Sequence, residues 1–168
     1  MARNTRAKKS DAPKVDIGAE IFASLRELEK IKGIPVEYMV ERLKQALIDE
    51  DFDYVLSQAV EQIDAGAEIL DVNVGYPGVN EVEMLPKVVK KLQSAISLPL
   101  QLDSSNPDAL EAGLRVYNGK AAVNSVNGEE KNLARILPIV KKYGASVVGL
   151  VLDQDGIPKT AEQRLEIA

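Results

Sequence analysis

The chain has 168 residues, 45% of them hydrophobic and 28% charged, the balance of an ordinary globular protein with one domain or two small ones. Its formal net charge of -5 argues against general nucleic-acid binding, and the absence of cysteine and histidine removes thiol nucleophiles, disulfides, imidazole bases and the usual transition-metal ligands. Chemistry therefore falls to carboxylates, amides, hydroxyls and lysines, in a chain whose lack of a bilayer-length apolar run and of a signal-peptide core predicts a cytoplasmic protein without membrane contact.

The first element is a tail. Arg3, Arg6, Lys8 and Lys9 precede the first acid, Asp11, and large apolar side chains are almost missing, so residues 1–16 read as a disordered basic tail. A contact with nucleic acid or polymerase is the functional alternative. From 19 to 31, Ile21, Phe22, Leu25 and Leu28 recur at helical spacing until Lys32, Gly33, Ile34 and Pro35 break the pattern. A second helix is expected over 36–47, with Tyr38, Met39, Leu43, Ala46 and Leu47 on one side, which makes 17–47 a helical hairpin. The stretch GAEIFASLRELEKIKGIPVEYMVERLKQAL at 18–47 resembles the opening helices of the bacterial transcription factor NusA. That resemblance implies contact with RNA polymerase as an alternative function.

From Phe52 onward the rhythm changes. The candidate strands AEILDVNV (67–74), LPLQLDSS (98–105), AAVNSVN (121–127) and SVVGLVLD (146–153) alternate with helical stretches at 52–65, 81–94, 107–117 and 129–143. Strands this rich in Val, Ile and Leu suit a parallel sheet covered by helices. The four are expected to be parallel and adjacent in chain order, joined by right-handed crossovers. Asn106 is placed to cap a helix that starts at Pro107, and Gly66 and Gly144, each followed by alanine, look like one helix-ending turn used twice.

Each candidate strand ends in polar residues: Asp71 and Asn73, then Asp103, Ser104 and Ser105, then Asn124, Ser125 and Asn127, then Asp153. In parallel α/β folds the carboxyl ends of the strands form the ligand-binding rim. Every one of these residues also has a local alternative: Asp71 and Asn73 bonding a neighbouring loop, Ser105 or Asn106 capping a helix, Asn127 and Gly128 forming a turn. Carboxylates and primary amides together suit a flat heterocycle rich in N–H donors and carbonyl acceptors. No dinucleotide or P-loop phosphate motif is present.

The segments DVNVG (71–75), LQLDSSNPDALEAGL (100–114), VNSVNGEE (123–130) and GLVLDQDGIPKTAEQR (149–164) resemble the pterin-binding domain of cobalamin-dependent methionine synthase and of the methyltetrahydrofolate:corrinoid methyltransferases. The resemblance implies a (β/α)8 TIM-type barrel over 48–168, here partial and preceded by the α-helical hairpin. It implies that Asp103 and Asn124 hydrogen-bond the pterin ring, that Asp71 and Asn73 line the same mouth, and that Asp153 stands at the rim. It also implies methyltetrahydrofolate as methyl donor and a corrinoid (cobalamin) carried by a partner domain or protein. Set against that family, a first strand with an ERINPTG-like loop, strands six to eight, a further pterin-contacting aspartate and a late asparagine near N5 are missing. The expectation is therefore an incomplete barrel, inactive alone, whose uncovered strand edges favour a homo-oligomer.

Overall fold

A computed structural model describes Gly33 and residues 35–168. The expected tail at 1–16 and the helix at 19–31, with most of the transcription-factor resemblance, lie outside these residues. Within them the chain forms α1 (Val36–Ile48), α2 (Phe52–Asp64), β1 (Leu70–Asn73), α3 (Glu81–Gln93), β2 (Leu100–Asp103), α4 (Pro107–Val116), β3 (Ala122–Asn127), α5 (Glu130–Tyr143), β4 (Ser146–Leu150) and α6 (Ala161–Ile167). The four strands make one sheet in the order β1-β2-β3-β4, and every neighbouring pair is parallel. This is the α/β architecture expected from the alternating pattern. The strand order never reverses, as in a barrel and unlike a doubly wound sheet.

Local chemistry sets the element ends. Asp51 caps α2 by accepting the Tyr54 N–H at 3.1 Å. Asn106 caps α4 by accepting the Asp108 N–H at 3.0 Å, with Pro107 in the first helical position, where its missing N–H costs nothing. The two Gly-Ala turns are the same motif. At the end of α2 the Gly66 N–H reaches Ile63 O and the Ala67 N–H reaches Gln62 O; at the end of α5 the Gly144 N–H reaches Lys141 O and the Ala145 N–H reaches Val140 O. Both glycines have positive φ, 97° and 64°, the conformation this double closure requires.

The core lies between one face of the sheet and the helices. Leu70 and Val72 of β1, Leu100 and Leu102 of β2 and Val123 of β3 are buried, and they pack with Met84, Leu85, Val88, Val89 and Leu92 of α3, Ala109, Leu110 and Leu114 of α4, and Ile136 of α5. Gly113 lets α4 approach closely. A Cβ there would stand 3.1 Å from both Leu102 Cδ1 and Leu85 Cδ2. The alternate strand residues, Asp71, Asn73, Gln101, Ala122 and Asn124, are half-buried or exposed on the opposite face.

At the amino ends of the strands polar groups serve as ties. The Tyr117 hydroxyl accepts the Leu100 N–H at 3.1 Å, and Gln93 exchanges two hydrogen bonds with the Asn118 backbone. Such an end stabilises the fold and leaves ligand chemistry to the other. Among the described residues no helix is long and apolar enough to cross a membrane.

Candidate ligand-binding site

Strand register brings three of the sequence-expected residues into one row. Asn73 is the Cα partner of Asp103, and Asp103 is the partner of Asn124. Because parallel neighbours in register point to the same face, an amide, a carboxylate and a second amide stand side by side across β1, β2 and β3. The row continues to Val148 of β4, the partner of Asn124. Asp71 belongs to the preceding row, opposite Gln101, whose Nε2 donates to its Oδ1 at 2.7 Å.

The centre of the main row is tightly held. Asp103 is only 6% exposed, and its Oδ2 accepts from Asn73 Nδ2 at 2.9 Å. Asn73 Oδ1 in turn accepts the Gly75 N–H at 2.8 Å. Ser104, 5% exposed, ties three elements together. Its N–H donates to Asn124 O, its hydroxyl donates to Glu81 Oε2 at 2.5 Å at the start of α3, and the same oxygen accepts the Asn106 N–H at 3.0 Å. The carboxyl end of β2 is thus fastened to β1, to β3 and to α3.

β3 is irregular where it meets this row, since its register against β4 shifts between Asn124 and Val126. Irregularities of this kind re-aim side chains and recur beside binding sites. Tyr76, on the loop after β1, packs half-buried against the core. Desolvation pushes its phenol above the ordinary range, so it stays protonated at neutral pH.

Asp153 is not in the row. It lies beyond β4, where it forms an isolated antiparallel bridge with Gly156 and its Oδ1 accepts the Asp155 N–H at 2.9 Å. Asn127 shapes a turn: its Oδ1 accepts the Glu129 N–H at 3.2 Å just before α5. Gly128 carries the chain from β3 into α5 and donates its N–H to Leu152 O in the segment after β4. A Cβ there would lie 2.7 Å from Ile167 Cγ2 and 3.0 Å from Leu152 O.

Sequence reasoning missed Gln101 and Glu81. Gln101 stands two residues before Asp103 and so faces the same side, which was a usable signal. Nothing in the sequence pairs Glu81 with Ser104. An apolar cleft lies at the outer edge of β1, lined by Leu43, Leu47, Val55, Ala59 and Val72, and it meets the polar row through Asn73 and the preceding row through Asp71. Among the described residues no group of acidic side chains is arranged to hold a metal ion.

Parallel βα units with amides and carboxylates gathered at the strand carboxyl ends define a barrel-type ligand-binding domain. The chain belongs to the pterin binding enzyme family, whose description matches residues 41–167. It is 36% identical over 130 residues to the methionine synthase of Mycobacterium tuberculosis, an alignment covering 74% of this chain and 11% of that protein. It is 32% identical over 142 residues to the methylcorrinoid:tetrahydrofolate methyltransferase of Eubacterium limosum, covering 83% of this chain and 50% of that protein. The chain therefore spans half or less of the length of these relatives. The family match begins at Glu41, so the later part of α1 falls within it.

Proposed function

We propose that this chain binds methyltetrahydrofolate and presents its N5-methyl group to a corrinoid carried by a partner domain or protein. The observation that supports this reading most is the row Asn73, Asp103, Asn124 in a member of the pterin binding enzyme family. A pterin ring edge offers adjacent N–H donors beside a carbonyl acceptor. A carboxylate beside the Asn124 amide matches that edge, since the carboxylate accepts twice while the amide both donates and accepts. In this reading Asp103 and Asn124 hydrogen-bond the ring, Asp71 and Asn73 line the mouth, and Asp153 stands at the rim.

Methyl transfer breaks the bond between the methyl carbon and N5, the electron pair staying on nitrogen, which takes up a proton from solvent to become N–H, while the acceptor supplies the pair of the new bond. No covalent nucleophile is needed from the protein. Its contribution is orientation of the donor and exclusion of competing geometries. The corrinoid supplies the methyl acceptor, and a chain without histidine or cysteine offers cobalt neither of those side-chain ligands, which supports its being held elsewhere. The row ends at Val148 of β4, which is 38% exposed.

The test is titration of methyltetrahydrofolate into the parent chain, Asp103→Ala and Asn124→Ala, with folding checked for each. Loss of either partner leaves a desolvated ring group unpaired, about 1–3 kcal/mol or roughly tenfold to hundredfold in affinity. Equal affinity in all three would show that these residues serve the fold and not the ligand.

A further inference from the structure

We propose that Asn73 is a positioning residue: its side-chain amide, oriented by the Gly75 backbone, aims the Asp103 carboxylate at the ligand and does not itself need to touch it. This rests on the folate reading above. Asn73 Oδ1 accepts the Gly75 N–H at 2.8 Å, which fixes which end of the amide is oxygen. Nδ2 must then face β2, and it donates to Asp103 Oδ2 at 2.9 Å. A carboxylate beside a backbone-locked donor cannot turn freely about its terminal torsion, which is otherwise broad. Gly75 supports the arrangement by its lack of a side chain. A Cβ there would lie 3.2 Å from Asn73 Oδ1 and 3.5 Å from Glu81 Oε1.

The other end of the strand tip is held independently. Ser104 bonds Asn124 O and Glu81, so the backbone at Asp103 is fixed from β3 and α3 while its side chain is fixed from β1. Two restraints of different origin converge on one carboxylate. Two other carboxylates of the region have partners of their own: Asp71 accepts from Gln101, and Glu81 accepts from Ser104.

A plain turn-forming role for Asn73 is the competing explanation, and Asn73→Asp separates the two. Aspartate keeps the oxygen that accepts the Gly75 N–H, so the turn survives, but it replaces the donor that faces Asp103 with a second acceptor. The two carboxyls can then satisfy each other only by sharing a proton. The experiment measures methyltetrahydrofolate affinity by ligand-observed NMR for the parent and for Asn73→Asp from mildly alkaline to mildly acid buffer, and reads the ratio of the two so that the ligand's own titration cancels. The expected result is at least tenfold weaker binding by the variant in alkaline buffer, with the ratio closing toward one as the shared proton restores a donor. A ratio that stays near one throughout, or a deficit that does not change with pH, would overturn the positioning role.

A second arm needs no ligand. Carboxyl 13C shifts of the variant should report two coupled carboxyls retaining one proton at a pH where isolated aspartates have lost theirs. Independent titration of residues 73 and 103 would overturn the contact itself. Coupled titration together with no detectable binding by the parent chain would instead sink the folate reading, and with it the use assigned to this contact.

Discussion

β2 (LQLD) and β4 (SVVGL) are both short, aliphatic and parallel to their neighbours, yet their surroundings differ. β2 lies between β1 and β3 with α3 and α4 packed over it, and Leu100 and Leu102 are fully buried. Among the described residues β4 pairs with a strand on one side only, and none of its residues reaches full burial. Apolar composition therefore marks a strand without saying how much of it is covered, because coverage depends on the elements stacked over both of its flanks. The same difference separates the centre of the polar row from its β4 end. Asp103 on β2 is enclosed by fixed partners, while Val148 on β4 faces solvent.

Core truncation breaks this comparison most sharply. Leu102→Ala removes a fully buried side chain that meets α4 at Gly113, so it should cost about 2–5 kcal/mol in denaturant unfolding. Leu150→Ala on β4 removes a half-exposed side chain, and a loss of about 1 kcal/mol is expected from the smaller area withdrawn from water. Similar losses for both would mean that β4 is covered in solution by something these contacts do not include.

The sequence pattern located every strand within the described residues, and its errors are confined to strand ends. The first strand was expected from Ala67 but starts at Leu70, because the Ala67 N–H is spent closing the turn after α2 on Gln62 O. The fourth was expected to run to Asp153 but stops at Leu150, since the Leu152 N–H turns back to Leu150 O and the Leu152 carbonyl accepts from Gly128. That early stop also removes Asp153 from the row. Asn73, Asp103 and Asn124 were legible because each is a polar residue at the carboxyl end of an apolar run, and βα repetition gathers those ends on one rim. The partnerships were not. Gln101 with Asp71 and Ser104 with Glu81 depend on register and helix approach, which arise from crossover packing and leave no local trace in the sequence.

Position on the strand offers a sharper comparison than burial alone. Gly128 sits just after β3 against the segment that follows β4, so Gly128→Val should push against Ile167 and the Leu152 carbonyl and loosen β4 and α6 while leaving β2 intact. Amide exchange should then accelerate across 146–167 and remain slow at Leu100 and Leu102. Uniform acceleration would show that the two regions unfold as one unit.

The smallest expected effect concerns the charge link between α4 and α5. Glu111 Oε1 accepts from Lys142 Nζ at 2.7 Å, from the Tyr143 hydroxyl at 3.3 Å and from Arg115 Nη2 at 3.4 Å. The Lys142 ammonium, chiefly, holds the Glu111 carboxyl below its ordinary 4.5, and Glu111 in turn raises Lys142 above its ordinary 10.5. A carboxyl with a depressed folded value stabilises the fold above its unfolded value and loses that contribution as pH falls through the folded one; a raised lysine does the reverse at the alkaline end. Both signs describe the same attraction, present in full between about 4.5 and 10.5. Because both side chains are substantially exposed to water, the effect is small, well below that of either leucine truncation. Glu111→Gln should lower the melting temperature slightly at neutral pH, and the difference from the parent should vanish in strongly acid buffer, where the parent carboxyl is also neutral. Added salt at neutral pH should shrink the difference as well. A deficit that survives both acid and salt would assign the contribution of Glu111 to its packing between α4 and α5, with the charge doing nothing for the fold.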